Sequence, residues 1–463
     1  MGIMGSFTLH QLLEATGGEL LLSGPAVHFQ GICTDTRNLQ RGDIFFALHG
    51  EGSNGHKYLK IAREMGAAGA VVDEAVPGVR RRHNDIGEWN LIEVIDTLYA
   101  LGQLAQAQRR RFKIPVIAIT GSAGKTTTKE MTAAILSVRH TVVKTPGNFN
   151  NEIGMPLTLM QLDEHTQTAV VEFGMRGPGQ IGYLAALALP TVGVITNIGT
   201  SHLELLGTRE EIAMAKAELL EVLPAHATVV LPGEDDFFAL LRERARGPVV
   251  TVGERPDLDL WASDITLDGN NCANFTLHFR GIKLPIVLAV PGRVQVNNAL
   301  AAAAAALAAG SELEDIAIGL AGYTGIDGRM QTITAKRGFT VIDDSYNANP
   351  PAVRAALSHL AEAPGKVKLA ILGDMRELGS DAAELHRELG AYAMVLHTDH
   401  LFAIGELGQA YIDGANSPNA QWFPDHNTAI AAALAILQPG DIALVKGSRA
   451  MKMELIVRGL VEA

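Results

Sequence analysis

The chain has 463 residues, 47% hydrophobic and 19% charged, a balance that supplies large buried cores and excludes a wholly disordered chain. Its formal net charge of −12 argues against a dedicated nucleic-acid binder, whose phosphate contacts need a basic face. The longest uncharged apolar run, Ala299 to Ala309, falls short of the ~20 residues that span a bilayer.

The opening MGIMGSFTLHQLLE lacks a basic region followed by an apolar stretch, so no signal peptide is expected. Cys33 and Cys272 are far apart, outside any CxxC pattern, and read as packing residues in a reducing compartment. The expectation is a soluble, cytoplasmic, monomeric protein of about three domains, with no nucleic-acid partner and no membrane insertion.

Residues 1–88 mix short apolar strands with turn signals: Gly24-Pro25, Arg41-Gly42-Asp43 and Gly50-Glu51-Gly52. The strand Ile44 to Leu48, a helix from Lys57 to Met65 and the strand Gly69 to Val72 make this a small α/β module. Val76 to Glu88, with Pro, Gly and Arg80-Arg81-Arg82, reads as a linker. That arginine run and Arg109-Arg110-Arg111 are expected to be solvated linker or helix surface.

The second unit, residues 89–323, opens with a helix from Thr97 to Gln108. The β-branched run Val116 to Thr120 follows, then Ala169 to Val171 and Val192 to Thr196, with helical stretches between. Such runs are buried on both faces of a parallel sheet, and their alternation with helices predicts a doubly wound α/β unit. From Trp261 to Val290 the pattern becomes short alternating strands, an antiparallel insert or edge. The helix Val296 to Ala309 carries six consecutive alanines suited to close packing. In residues 324–463, strands at Phe339 to Ile342, Lys368 to Leu372, Leu401 to Ile404 and Ile442 to Val445 alternate with helices, which predicts a second, Rossmann-like sheet.

The strongest chemical signal is Ile119-Thr120-Gly121-Ser122-Ala123-Gly124-Lys125-Thr126-Thr127-Thr128. A buried strand delivers a glycine-rich turn to a helix N-terminus, where backbone N–H groups and the helix dipole favour phosphate. The strict G-x-x-x-x-G-K-[ST] pattern fails because Ile119 stands where it requires glycine; the shorter G-x-x-G-K-T remains. Gly121, Ser122, Ala123, Gly124, Lys125, Thr126 and Thr127 are the candidate nucleotide-binding residues. Lys125 would reach the outer phosphates and the Thr126 hydroxyl would bind Mg²⁺. A chance Gly-Lys-Thr at a helix start is the competing reading, disfavoured by the preceding strand and the three threonines. Glu172 ends the next apolar run, where parallel sheets bind ligands, and is placed to share the Mg²⁺ with Thr126.

This phosphate loop, then Glu172, then Asn197 with His202 five residues on, then Ala215-Lys216-Ala217-Glu218, resembles in order the motifs of the Mur ligases. These are ATP-dependent, amide-forming enzymes of peptidoglycan precursor synthesis. The resemblance implies that Lys216 is carbamylated, and that it and His202 complete a two-ion Mg²⁺ site with Thr126 and Glu172. It makes Lys125, Glu172, His202 and Lys216 the catalytic set. Ala217 stands where the family more often has glycine.

Further strings narrow the resemblance. Thr34-Asp35-Thr36-Arg37, Arg41 to Leu48 and Gly55-His56 look like a uridine-nucleotide-binding first domain. Thr145 to Pro156 fits the central ATPase domain. Asp343 to Pro350, Leu372 to Gly379 and Lys446 to Glu454 look like a third domain that takes D-alanyl-D-alanine. The implied substrates are UDP-N-acetylmuramoyl-tripeptide, its third residue left open between diaminopimelate and lysine, and D-alanyl-D-alanine. Thr36, Arg37, Asn148, Asn151, Tyr346, Asn347 and Asn349 become candidate substrate contacts. Asn298, Asp344 (to the ribose) and Arg329 (to the phosphates from the third domain) become candidate ATP contacts.

Taken singly, Asn347-Ala348-Asn349-Pro350 also reads as a turn and helix N-cap. Val294-Gln295 replaces the His-Asn that the family usually carries after Pro291-Gly292-Arg293, which puts adenine recognition by the usual residues in question. The implied reaction activates a carboxylate as an acyl phosphate, which the dipeptide amine then attacks. The rivals are another Mur-type or folate-glutamate ligase, and a nucleotide-dependent binding module without ligase chemistry.

Overall fold

The computed structural model describes residues 6–50, 52–76, 85–86, 89–201, 203–269, 271–376 and 378–463. Three large mixed sheets organise them, with helices on their faces.

In the first sheet, Ile32–Cys33, Ile44–Phe46, Gly69–Val72 and Asn90–Glu93 run parallel, and Glu19–Ser23 closes against Asn90–Glu93 antiparallel. The predicted helix from Lys57 divides into a 3₁₀ turn, Gly55–Tyr58, and a short α-helix, Leu59–Glu64. Asp85–Ile86 adds a short strand inside the expected linker. Arg80-Arg81-Arg82 lies outside the described residues.

The central sheet has nine strands. Val142–Lys144, Thr168–Glu172, Val116–Thr120, Val192–Ile195, Thr228–Pro232, Val249–Gly253 and Leu260–Leu267 are parallel neighbours in that order. Every residue of Val116–Thr120 and Thr168–Glu172 is buried, as β-branched runs covered on both faces should be. The sheet ends in the antiparallel strands Cys272–Phe279 and Ile282–Pro291, in the region where the pattern predicted an insert or edge. Ile286, Leu288 and Val290 alternate with exposed neighbours there, the period of a strand with one wet face.

Helix Gln295–Ala308 buries all of Ala301 to Ala306, whose small side chains let it lie close against helix Lys125–Leu136 in one apolar cluster. The strand carrying the phosphate loop pairs with Thr168–Glu172 on one side and Val192–Ile195 on the other. The chain visits the first side before crossing to the second, so the loop sits at the switch point of a doubly wound sheet.

The third sheet orders Gln331–Thr334, Thr340–Asp344, Ile442–Lys446, Lys368–Gly373, His400–Ile404 and Ala420–Phe423, parallel except for the first pair. The two edge strands were missed in the sequence because edge positions are half exposed and lack a continuous apolar run. One expectation is overturned. Arg109 is not helix surface: it is buried, and its guanidinium donates to the carbonyls of Ala188 (2.8 Å), Ile114, Leu189 (both 3.2 Å) and Phe112. It satisfies loop carbonyls at the amino edge of the central sheet, where apolar packing alone would leave them unpaired.

Candidate active site

The phosphate loop needs its glycines for space as well as for backbone angle. Gly121 has φ 148° and Gly124 φ 78°, and a Cβ would lie 1.9 Å from Thr196 Oγ1 at the first and 2.3 Å from Asn298 Oδ1 at the second. The loop following Val192–Ile195 grips it. Asn197 accepts from the Ser122 N–H through its carbonyl and from the Ala123 N–H through Oδ1, both at 3.0 Å, and returns Nδ2 to the Ala123 carbonyl at 3.0 Å. Thr196 Oγ1 donates to the same carbonyl at 2.6 Å, and the Gly199 N–H donates to Ser122 Oγ at 2.8 Å.

The amides of Ser122 and Ala123 are therefore engaged within the protein, so the amides left to meet an anion are the following ones. The first amides of helix Lys125–Leu136 have no intrahelical acceptor, whereas the Thr128 N–H already donates to the Gly124 carbonyl at 2.8 Å. Lys125 folds back over the loop with Nζ 2.8 Å from the Gly121 carbonyl. Burial pushes its pKa down, the Glu172 charge pulls it up, and the charge of Arg329 lowers it further. Thr126 is buried at the start of the helix, and the Thr127 side chain bonds to Tyr323.

Glu172 pairs in register with Ile119, two residues before Gly121, and is only 2% exposed. Its backbone N–H donates to Thr145 Oγ1 at 3.0 Å, and the Thr145 carbonyl is held by the buried Lys129 ammonium at 2.7 Å. Asn150 Nδ2 donates to Oε1 at 2.8 Å, while Oε2 is buried without a hydrogen-bond partner among the described residues. A buried carboxylate oxygen without a donor is a standing electrostatic cost unless a cation completes it. One oxygen positioned and the other without a donor among the described residues is an arrangement that suits a hard divalent ion.

Lys216 lies on helix Arg209–Val222, which a capping box of Thr208 and Glu211 starts. It is 1% exposed, and among the described residues no hydrogen-bond or carboxylate partner reaches its ammonium. Burial, and after it the neighbouring Lys125 charge, drives its pKa well below the ordinary lysine range. Its neighbour Ala217 is fully buried, and Glu218 caps the helix Gln180–Ala188 by accepting from Gly179 and Gly182. His202 lies outside the described residues.

The third sheet faces the loop with its own charged edge. Asp344 accepts from Lys446 Nζ at 2.5 Å and from the Met330 N–H at 3.2 Å, and the same ammonium donates to the Asn347 carbonyl at 2.8 Å. Arg329 lies over the Tyr346 ring at 4.3 Å, with its Nε buried and without a partner among the described residues. Asn349 caps helix Pro350–Glu362 by accepting from the Ala352 N–H at 2.9 Å. Its Nδ2 lies 3.4 Å from Ser201 Oγ, and Ser201 donates to the Ser122 carbonyl. The N-cap role of Asn349 and a contact towards the phosphate loop thus coexist.

Asn298 receives Thr128 Oγ1 at 3.5 Å on Oδ1 and donates Nδ2 to Gln295 at 2.8 Å, while Val294 is exposed. Among the other substrate candidates, Asn148 is exposed and Asn151 Oδ1 accepts from the Gly154 N–H at 2.9 Å, starting a helix. Arg37 is paired with Asp35 within one exposed turn, beside Thr36. Sequence reasoning gave no role to Asn150, Thr145, Lys129 or Asn197 individually. Asn150 and Asn197 stand inside strings that drew attention; nothing local marks Lys129.

Comparison with known proteins gives the chain a family. Models described as the Mur ligase middle domain, the Mur ligase glutamate ligase domain and the Mur ligase family catalytic domain match residues 119–306, 328–449 and 28–109. This chain belongs to the Mur ligase family. Among similar Mur ligases is the UDP-N-acetylmuramoyl-tripeptide–D-alanyl-D-alanine ligase of Synechocystis, 39% identical over 94% of this chain and 92% of the relative. Among solved Mur ligases, MurF from Acinetobacter baumannii superposes with a TM-score of 0.91 at 35% identity, covering 99% of this chain and 100% of that one. The MurF ligase of Thermotoga maritima, solved in complex with ADP, gives 0.79 at 26% identity over 93% and 96% of the two chains.

Proposed function

We propose that this Mur ligase joins D-alanyl-D-alanine to UDP-N-acetylmuramoyl-tripeptide, forming an amide with release of ADP and phosphate, as a cytoplasmic monomer. Residues 1–88 would bind the uridine nucleotide through Thr36 and Arg37. Residues 89–323 would bind ATP, and residues 324–463 would bind the dipeptide. The observation that carries the reading is the incomplete charge set beside the phosphate loop. Among the described residues, Glu172 has a buried oxygen without a donor and Lys216 is a buried amine that meets no anion.

ATP supplies a phosphoryl group that converts the peptide carboxylate, whose leaving group would be oxide, into an acyl phosphate whose leaving group is phosphate. The dipeptide amine then forms the C–N bond as the C–O bond to phosphate breaks, and the ammonium proton is lost. Phosphoryl transfer depends mostly on positioning and charge stabilisation, and this chain's residues divide that work. The amides of Gly124 to Thr127 and the Lys125 ammonium bind the phosphates. Arg329 reaches them from the third sheet. Tyr346, Asn347 and Asn349 face the dipeptide, Asn148 and Asn151 lie towards the peptide, and Asp344 contacts the ribose once Lys446 shares it.

Thr126, Glu172, His202 and Lys216 would hold two Mg²⁺ ions, which would offset the repulsion between carboxylate and phosphate. Lys216 suits that role as a carbamate. A buried neutral amine attacks CO₂ to form the C–N bond, a proton leaves the nitrogen, and the neutral side chain becomes an anionic oxygen ligand. Asn298, with Gln295 behind it, would shape the nucleotide site. The exposed Val294 supports looser base selectivity, checked by comparing ATP with GTP.

The deciding experiment follows phosphate release from Mg²⁺-ATP with UDP-N-acetylmuramoyl-tripeptide, with and without D-alanyl-D-alanine, and weighs the product. Release that requires both substrates and yields the pentapeptide nucleotide is expected. Turnover indifferent to both would overturn the substrate assignment, and no turnover would overturn the ligase itself.

A further inference from the structure

A second cluster of ligating side chains lies in the first sheet, away from the phosphate loop and including His56 of the Gly55-His56 string. His49 and Asn54 face each other on the short ribbon His49–Gly50/Ser53–Asn54, His56 lies in the turn that follows, and Asp73 and Glu74 follow strand Gly69–Val72. His49 Nε2 lies 2.9 Å from Asp73 Oδ1 and 3.7 Å from Glu74 Oε1, and His56 Nε2 lies 3.2 Å from the same Asp73 oxygen. The ligand atoms of His49, His56 and Asp73 all fall within 4.8 Å of one another. Two ligands on a tetrahedral ion with bonds of ~2.0–2.1 Å stand about 3.3 Å apart; the separations among His49, His56 and Asp73 bracket that spacing, whereas Glu74 lies outside this trio and would swing in as the fourth ligand.

The surrounding bonds hold these atoms in a ligating orientation. Asn54 Oδ1 lies 2.9 Å from His56 Nδ1, which places the proton on Nδ1 and the lone pair on Nε2. Asn54 Nδ2 donates to Glu74 Oε1 at 3.0 Å, so one amide orients two of the four groups. Thr97 donates its N–H and its hydroxyl to Asp73 Oδ2, both at 2.9 Å, leaving Oδ1 turned to the imidazoles. The competing bond is the Asp73 N–H to His56 Nε2, long at 3.2 Å, which an ion would replace. His56 and Asp73 are nearly buried, whereas His49 and Glu74 are about half exposed, which leaves an entry path.

We propose that His49, His56, Asp73 and Glu74 form a binding site for a divalent transition-metal ion of the zinc class, distinct from the Mg²⁺ chemistry at the phosphate loop. Two imidazoles with two carboxylates suit Zn²⁺ and exclude Mg²⁺ as the preferred ion. The ion would pin the ribbon His49–Asn54 to the end of strand Gly69–Val72 and, through Thr97, to the first turn of helix Thr97–Arg110.

The test uses the full chain in excess Mg²⁺, titrated with Zn²⁺ against a chromogenic chelator and separately with Co²⁺. One Zn²⁺ per chain, a four-coordinate Co²⁺ spectrum and a zinc-dependent rise in melting temperature are expected. All three should be lost in His49→Ala, an exposed position whose zinc-free melting temperature should match the unaltered protein. Asn54→Ala should weaken Zn²⁺ by about tenfold or more through lost orientation of His56 and Glu74. Equal Zn²⁺ binding in His49→Ala, or no bound Zn²⁺ in the unaltered chain, would overturn the proposal.

Discussion

Lys446 and Lys216 are both buried, at 3% and 1% exposure, and the molecule treats them in opposite ways. At the carboxyl edge of the third sheet, Lys446 meets Asp344 and the Asn347 carbonyl, so its charge is neutralised within the protein. Beside the phosphate loop, Lys216 meets no anion among the described residues and has the Lys125 charge for a neighbour. Burial alone thus does not decide the state of a lysine. An ammonium with a carboxylate can stay buried and structural, whereas burial without one disfavours the charged form and favours the amine that does chemistry.

The largest expected effect strikes the incomplete side of this comparison. Lys125→Ala removes the ammonium folded over the loop, and ligation should fall by about 10³-fold. Phosphate release under saturating substrates checks it; a loss confined to KM would mean that Lys125 binds ground state and transition state equally. On the complete side, Lys446→Met should destabilise the third sheet by about 3 kcal/mol, because it strands the Asp344 carboxylate. Chemical denaturation reads this, and adding Asp344→Leu should restore most of the loss. If the double variant is as unstable as the single one, the pair is more than a local neutralisation.

A third change separates the two lysines by pH. Lys216 is held below the ordinary lysine value of 10.5 by burial, with the Lys125 charge adding to it. Between the depressed value and 10.5 the unfolded chain carries a proton that the folded chain lacks. Stability therefore rises with pH through that window, and the penalty is complete below it. Lys216→Met removes the titration. In CO₂-free buffer the variant should be more stable than the parent at neutral pH, with the gap closing as pH approaches 10.5. A gap that does not change with pH would mean that Lys216 stays charged in the folded protein.

The same pair shows what a sequence can and cannot disclose. The phosphate loop is legible because its requirements are local: a β-branched strand, glycines at Gly121 and Gly124, and a lysine and threonine opening a helix. The α/β alternation is legible for the same reason. The Asp344–Lys446 contact joins residues 102 apart and follows from the pairing of strands Thr340–Asp344 and Ile442–Lys446, a matter of sheet order that no local pattern encodes. Lys216 stood out only through the Mur ligase resemblance, since a lysine on a helix reads as surface. Arg109 misled for that reason: its burial depends on carbonyls from Ala188 and Leu189, about 80 residues away. Ser122 and Ala123 lie in the loop, yet their amides are held by Asn197, because a grip from a neighbouring strand's loop is tertiary information.

The smallest effect is expected where the two edges meet. Asn349 caps helix Pro350–Glu362 and also reaches Ser201, which itself holds the Ser122 carbonyl. Asn349→Ala loses both contacts and should cost about 1 kcal/mol of stability, the usual worth of an N-cap. Asn349→Ser keeps a capping oxygen but is too short to reach Ser201, so its stability should stay within a few tenths of a kcal/mol of the parent. Comparing KM for D-alanyl-D-alanine in the two variants then isolates the bridge. If both variants raise KM together while only one loses stability, Asn349 carries information between the third sheet and the phosphate loop. If KM follows stability instead, the residue is a helix cap and the edges communicate through Arg329, the other group that approaches Lys125 from the third sheet.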